Sequence, residues 1–160
     1  MPILEGSGVA LVGLAVTVPK NKEDNKELKS LSEKAKSEII NQVGIRFRHV
    51  AKKDQTASDL CVKAAENVLD KLGWTAGEIG LVVFVTQTPD HIVPGSSTQI
   101  QERLGINSGA MALDINQGCA GYIYGISTIT GLMRAYNIPK ALLLVGDTIT
   151  KMVSETDNAL

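Results

Sequence analysis

The sequence Leu81-Val82-Val83-Phe84-Val85-Thr86 is a continuous run of β-branched and aromatic residues with no apolar–polar alternation. A run of this kind is typical of a strand that is covered on both faces, as in a parallel sheet. Before it, apolar residues recur at helical spacing between Ser58 and Leu72, and Gly73 follows as a stop signal. A helix followed by a fully buried strand predicts an α/β arrangement.

Helical and strand patterns alternate along the rest of the chain. Strands that are separated by helices of this length are joined by crossover connections, which give parallel pairing. The predicted fold class is therefore α/β, with a mostly parallel sheet flanked by helices. The other predicted strands are 9–18, 111–115 and 141–145; the other predicted helices are 25–43 (as one helix or two short ones), 98–104 and 120–136.

The composition is that of an ordinary globular chain. It has 160 residues, of which 44% are hydrophobic and 21% charged, and this length is enough for one domain with a sizeable core. A net charge of −1 argues against nucleic acid as a partner, because such proteins usually carry a strong positive excess. The apolar runs are shorter than the roughly 20 residues that cross a bilayer, so we expect no membrane partner and a cytoplasmic location.

The two cysteines and two histidines do not form a recognisable ligand set. Cys61 and Cys119 are interpreted as separate thiols, and Cys61 falls on the apolar face of its predicted helix. His49 and His91 are interpreted as loop or packing residues, since two separated histidines cannot build a metal cluster. We therefore expect no metal.

The segment Asp114–Tyr122 places a cysteine between a predicted strand and the start of a predicted helix. Unpaired peptide N–H groups and aligned dipoles at a helix amino terminus favour a thiolate, and the same groups can stabilise an oxyanion. Gly118, Ala120 and Gly121 leave space for an acyl chain to approach the sulfur of Cys119. The spacing alone supports equally well a small structural cysteine packed at the start of a buried helix.

Several further motifs agree with this elbow in order and spacing. They are Gly44-Ile45-Arg46-x-Arg48-His49, Thr88-x-x-His91-x-x-Pro94, Leu104-Gly105-Ile106 and Val145-Gly146-Asp147, together with Gly118-Cys119-Ala120-Gly121 itself. Combined, they resemble the β-ketoacyl-acyl-carrier-protein synthase III family of the thiolase superfamily. The resemblance extends over almost the whole chain and implies one half of a thiolase-like fold.

The resemblance implies a condensing acyltransferase of fatty-acid or related biosynthesis. Cys119 would accept a starter acyl group from coenzyme A or acyl carrier protein, and malonyl-acyl carrier protein would then be decarboxylated and condensed to a 3-oxoacyl product. These thioesters are substrates, and no cofactor is expected. Members of the family act as homodimers, and their catalytic His and Asn come from the second half of the polypeptide.

Two positions differ from the usual family pattern. Many members carry a Trp and, four residues later, an Arg that hold the adenine of coenzyme A, and the matching residues here are Glu38 and Gln42. Gln42 is therefore a candidate substrate-binding residue for a nucleotide that is held differently, or the starter arrives on a carrier protein. Val93 matches a position that in some relatives is a Phe at the acyl pocket, and it is a second candidate substrate-binding residue; otherwise it is a loop residue without ligand contact.

Family chains are about twice as long as this one. The resemblance therefore implies that residues 1–160 form an amino-terminal thiolase-like domain that stops before its last strand, without the carboxy-terminal half. An isolated chain of this kind is expected to be inactive and to associate. Two alternatives stay open: a catalytically silent interaction partner of the same fold, and a hydroxymethylglutaryl-type or polyketide-type condensing enzyme.

Overall fold

The structure, a computed structural model, describes residues 8–28 and 31–153. The predicted end of the chain before a final strand falls at residues 154–160 and lies outside the described part. The strands are β1 Lys22–Asp24, β2 Phe47–His49, β3 Leu81–Val85, β4 Met111–Ile115 and β5 Ala141–Val145. The α-helices are α1 Glu33–Glu38, α2 Ala57–Leu72, α3 Ser96–Arg103 and α4 Gly121–Ala135, a π-helix spans Ile39–Val43, and single 3-10 turns span Asn25–Glu27, Ala76–Glu78 and Ile149–Lys151.

The chain divides into two compact units. The first contains described residues 8–17 and 57–147, and the second contains 18–28, 31–56 and 148–153. In the second unit, β1 and β2 pair antiparallel, with Glu23 opposite Arg48. The single domain expected over residues 1–160 stays a prediction.

The first unit is built on a parallel sheet. Its strands lie in the order β4-β3-β5, with Phe84 opposite Asp114 on one side and Leu144 on the other. Every residue of β3 is buried, as its continuous apolar run predicts. The α/β class with helices flanking a parallel sheet is confirmed.

The two faces of β3 pack into different cores. Val82 and Phe84 belong to a cluster with residues of α2 and α3, such as Ala65 and Ile100. Val83 and its alternate neighbours face the other way, into a cluster that includes Ile129 of α4. Side chains of a strand alternate between faces, so this one strand joins two helix layers into a single helix–sheet–helix unit.

The predicted strand over residues 9–18 is wrong. The segment has no regular secondary structure, and Leu11, Leu14 and Val16 are each about three-quarters exposed, at 77%, 75% and 74%. It packs on α2 at Gly13, where a Cβ atom would come within 2.9 Å of side-chain carbons of Val68 and Leu72. A strand needs a paired neighbour, and among the described residues this segment has none.

A cavity of about 1080 Å³ lies beside this segment in the first unit. Its lining is largely apolar and includes Leu11 and Leu14 of the segment, Ile126 of α4 and Leu143 of β5. Cys119 is not among the residues that line it.

The other predicted elements agree with the structure within a few residues. Strands 111–115 and 141–145 have the predicted bounds, and the helices predicted at 58–72, 98–104 and 120–136 differ by one or two residues at their ends. The pattern over 25–43 forms separate short helices rather than one, with Ser32 accepting from the N–H of Ala35 at 3.2 Å to start α1. No described helix combines the length and apolar character that crossing a membrane requires.

Candidate active site

Cys119 lies in the turn that joins β4 to α4. The strand ends at Ile115, α4 begins at Gly121, and the N–H of Gly121 donates to the carbonyl oxygen of Gly118 at 2.7 Å. The sulfhydryl side chain is exposed. The residue before the helix, Ala120, has no side-chain oxygen to cap the first turn. The predicted elbow is thus formed, with the thiol open to a ligand beside a helix amino terminus.

Two glycines in the first turns of α4 are required by packing. A Cβ atom on Gly121 would stand 2.6 Å from Cγ1 of Val85, and one on Gly125 would stand 2.8 Å from Cδ1 of Leu143. Helix α4 therefore lies directly on the sheet, and a side chain at either position would push it away. Gly121 was predicted to leave space for an acyl chain; in the structure its missing side chain also sets the position of the helix that follows Cys119.

Asp114 connects the elbow strand to α3. Its Oδ2 accepts from the N–H of Ser96 and its Oδ1 from the N–H of Ser97, both at 2.7 Å. Gly95 precedes α3, and a Cβ atom there would come within 2.6 Å of Oδ2 of Asp114. A carboxylate from a strand therefore provides the cap that α3 lacks in its own sequence.

Asp147 makes a second set of contacts, at the carboxyl end of β5. Its Oδ1 accepts from Oγ1 of Thr86 at 2.9 Å, from the N–H of Gln87 at 2.6 Å and from Oγ1 of Thr88 at 3.4 Å. Its Oδ2 accepts from Nε2 of Gln87 at 3.2 Å. The same Gln87 side chain lies against Gly118, so the ends of all three strands meet around the elbow.

The loop between β3 and α3 carries Val93. Ile92 and Val93 are 89% and 86% exposed, and the peptide bond between Val93 and Pro94 is cis. The base of the loop is held by Ser96, whose Oγ accepts from the N–H of Asp90 at 2.9 Å. Asp90 in turn accepts from Oγ of Ser58. Val93 is therefore free to contact a ligand or another chain, and its role at an acyl pocket stays a prediction.

Gln42 lies in the second unit, within the π-helix Ile39–Val43, and it is exposed. Its role in substrate binding stays a prediction. In the same unit, Arg46 forms an ion pair with Asp24 at 3.1 Å and Arg48 with Glu23 at 2.8 Å. Each of these two guanidinium groups therefore has a carboxylate partner within the second unit.

The histidines do not form a metal site. Nδ1 of His49 lies 2.6 Å from the carbonyl oxygen of Pro19, to which it donates, and His91 is exposed in the loop that carries Val93. Within residues 8–28 and 31–153, no group of three or more His, Cys, Asp or Glu side chains is arranged to hold a metal ion.

Cys61 differs sharply from Cys119. It is 5% exposed on the core side of α2, as predicted, and its sulfur faces Gly146, where a Cβ atom would come within 2.9 Å. Burial, together with the negative charges of Asp147 and Asp90, raises the pKa of the Cys61 thiol to about 12. Because the thiolate is the nucleophilic form, Cys61 is unreactive at neutral pH.

We expect iodoacetamide to alkylate Cys119 much faster than Cys61 in the folded chain between pH 7 and 9. The raised pKa of Cys61 keeps its thiol protonated across this range, while Cys119 is open to solvent. Peptide mass mapping of partly labelled protein would measure both rates, and labelling in denaturant would provide the reference in which burial is lost. Equal rates for the two cysteines in the folded chain would contradict the elbow.

Comparison with known proteins gives a consistent result. The family described as 3-oxoacyl-[acyl-carrier-protein (ACP)] synthase III matches residues 113–160. The chain is 32% identical over 145 residues to a β-ketoacyl-[acyl-carrier-protein] synthase III of Neisseria meningitidis, a match that covers 91% of this chain and 45% of the relative. The chain thus spans about half the length of the curated relatives it matches.

Solved structures show the same likeness. A 3-oxoacyl-(acyl-carrier protein) synthase from Burkholderia xenovorans superimposes with a TM-score of 0.83 at 34% identity, covering 90% of this chain and 42% of that one. A tetronic acid condensing enzyme superimposes with a TM-score of 0.79 at 27% identity, covering 91% of this chain and 45% of that one.

The fold and the cysteine elbow define an α/β protein of the thiolase-like class. Within that class, the chain is similar to the amino-terminal half of the β-ketoacyl-acyl-carrier-protein synthase III family, as its motifs predict.

The sequence interpretation included Asp114 and Asp147 in motifs but assigned neither a role. Both are carboxylates at or near strand ends, and such residues in parallel sheets meet at one edge of the sheet. Their position at strand ends was the signal in the sequence. From it, one could have predicted that Asp147 lies close to the residues that follow β3.

Proposed function

We propose that this chain carries the nucleophile of a condensing acyltransferase of fatty-acid biosynthesis. The observation that supports this most directly is the exposed thiol of Cys119 in a strand–helix elbow, beside the converging ends of three parallel strands. The likeness to synthase III proteins supports the choice of acyl thioesters as substrates.

In the first step, the sulfur of Cys119 attacks the carbonyl carbon of an acyl thioester. The carbon–sulfur bond to the donor breaks, the acyl group stays on Cys119 as a thioester, and the donor leaves as a thiol that takes up the proton. In this proposal, peptide N–H groups of the turn between Cys119 and α4 stabilise the negative oxygen of the intermediate. The donor is coenzyme A or acyl carrier protein, and Gln42 and Val93 are the proposed contacts to it and to the acyl chain.

In the second step, malonyl-acyl carrier protein loses carbon dioxide and the resulting carbanion attacks the acyl group on Cys119. A carbon–carbon bond forms, the bond to the Cys119 sulfur breaks, and the 3-oxoacyl product leaves on the carrier. As proposed, the reaction needs no cofactor. The His and Asn that support decarboxylation would come from a second half of the polypeptide, the working unit would be a homodimer in the cytoplasm, and the 160 residues alone would not condense.

A second condensation chemistry is also supported by one observation. The likeness to a tetronic acid condensing enzyme, at 27% identity, covers 91% of this chain. A polyketide-type acceptor in place of malonyl-acyl carrier protein would leave the first step unchanged. The two candidates therefore differ only in which second substrate is consumed.

Incubation with acetyl-coenzyme A or an acyl carrier thioester is expected to add one acyl mass to the chain, on Cys119. The adduct should be lost in Cys119→Ala, because the only exposed thiol among the described residues is removed. Cys61→Ala is the matched control and should keep the adduct, since its sulfur is buried. Intact-protein and peptide mass spectrometry would measure both.

The same mixture, with a carboxy-terminal half of a synthase III supplied, would be assayed for consumption of malonyl thioester. An adduct on Cys119 without consumption of malonyl thioester would favour the polyketide-type alternative. Absence of any adduct, even with that half supplied, would rule out the proposed function and favour the catalytically silent alternative. Turnover by the 160 residues alone would contradict the dependence on a second half.

A further inference from the structure

Asp147 and Gln87 lie at the same edge of the sheet as the elbow. Asp147 follows β5 and Gln87 follows β3, while the turn with Cys119 follows β4. The carboxyl ends of parallel strands share one edge, which is where open α/β sheets bind ligands. Both residues are exposed to solvent at this edge.

The hydrogen bonds of Asp147 fix the orientation of the Gln87 amide. An ionised carboxylate only accepts hydrogen bonds, so the amide group that faces Oδ2 of Asp147 at 3.2 Å must be the NH2. The other end of the same amide, Oε1, then faces Gly118, 3.0 Å from the point where a Cβ atom would stand. A carbonyl oxygen is therefore presented to the residue directly before Cys119.

The backbone contact makes this orientation rigid. The N–H of Gln87 donates to Oδ1 of Asp147 at 2.6 Å, so one carboxylate holds both the main chain and the side chain of Gln87. Thr86, which is 2% exposed, adds a hydrogen bond to Oδ1 at 2.9 Å and anchors the carboxylate to the end of β3. A glutamine side chain without such a partner would sample several rotamers.

We infer that Asp147 is a positioning residue of the elbow, acting through Gln87 by holding its amide with the carbonyl oxygen towards Gly118. This inference rests on the proposed acyl transfer to Cys119 and adds the residue that orders its surroundings. Asp147 does not itself touch the substrate. It affects the geometry in which the thiol approaches the acyl carbon. Small displacements of reacting groups can change the reaction rate strongly.

The test is a double-mutant cycle with Asp147→Asn and Gln87→Leu in the full 160-residue chain. The Asn amide places an NH2 donor against the NH2 of Gln87. The Gln87 side chain must then rotate its amide by about 180° or adopt another rotamer. Each single variant is expected to form the Cys119 acyl adduct on the order of tenfold more slowly at saturating acyl thioester. The double variant should be no slower than Gln87→Leu, and the thioester concentration for half-maximal rate should be unchanged in all of them.

Asp70→Asn is the control, because it makes the same carboxylate-to-amide change at an exposed position of α2 that is not bonded to Gln87. It is expected to acylate at close to the wild-type rate. A loss in Asp70→Asn equal to that in Asp147→Asn would show a general effect of removing a charge, and additive losses in the double variant would show that Asp147 does not act through Gln87. Either result, or a wild-type rate in Asp147→Asn, overturns the inference.

Iodoacetamide alkylation of Cys119 in the same variants separates this inference from the proposed function. If the wild-type chain forms no acyl adduct, the proposed function fails. The double-mutant cycle can then still be measured, with the rate of Cys119 alkylation in place of the rate of acylation. Coupled losses of alkylation rate in the single and double variants would then support the positioning role. Independent losses, or none, would overturn it.

Discussion

Replacing Asp114 with Ala is expected to lower the free energy of unfolding by about 2–4 kcal/mol, since two buried N–H groups lose their acceptor. Ser96 and Ser97 are 0% and 1% exposed, and the carboxylate oxygens lie 2.7 Å from their N–H groups. The charge also favours the amino terminus of α3. Urea unfolding followed by circular dichroism would measure the change.

Asp70→Ala is the matched control for this prediction. Asp70 is exposed on α2, and removing its carboxylate should change stability by no more than about 0.5 kcal/mol. Asp114→Asn should fall between Ala and wild type, because the amide keeps one acceptor but presents donors to the second N–H. A loss below about 1 kcal/mol in Asp114→Ala, with an unchanged urea dependence, would contradict the cap.

Replacing Phe84 with Ala is expected to be the more severe core change, at about 3–5 kcal/mol. Phe84 is fully buried in the central strand, and it belongs to the core cluster that joins the sheet to α2 and α3. Strand β3 is paired with β4 on one side and β5 on the other, so its backbone cannot move to close the cavity that the substitution leaves. Against a typical stability of roughly 5–15 kcal/mol, this loss is a large share.

Ile92→Ala provides the comparison for Phe84, because Ile92 is an apolar residue that is 89% exposed. Its removal should leave stability within about 0.5 kcal/mol of wild type. The same urea titration would include Phe84→Leu as an intermediate variant. The free energy of unfolding should increase from Phe84→Ala to Phe84→Leu to wild type. A Phe84→Ala loss similar to that of Ile92→Ala would show that β3 does not lie at the centre of the core.

The sequence correctly predicted those elements whose apolar pattern directly reports which of their own side chains are buried. The uninterrupted apolar run of β3 predicted burial on both faces, and the helical spacing before Gly73 predicted α2, because each pattern records the environment of its own side chains. The segment 9–18 has a similar composition but forms no strand. Pairing depends on a neighbouring strand, and no pattern within the segment can report whether one is present.

In the candidate site, too, the sequence predicted the local feature but not the contacts between residues far apart in the chain. The elbow with Cys119 depends on residues that are adjacent in sequence, and the structure places it between β4 and α4 as predicted. The roles of Asp114 and Asp147 depend on partners far along the chain, at Ser96 and Gln87. A carboxylate that caps a distant helix looks, in sequence, like any other polar residue at a strand end.

The order of the strands in the sheet has a consequence during synthesis on the ribosome. The most apolar strand, β3, emerges before either of the strands that pair with it, because β4 and β5 both follow it in the chain. At roughly 5–20 residues per second, one of its edges stays without a partner for several seconds until residue 145 has left the exit tunnel. During that interval the nascent chain exposes an aggregation-prone segment, and Val85 is covered on its second side only when Val145 arrives.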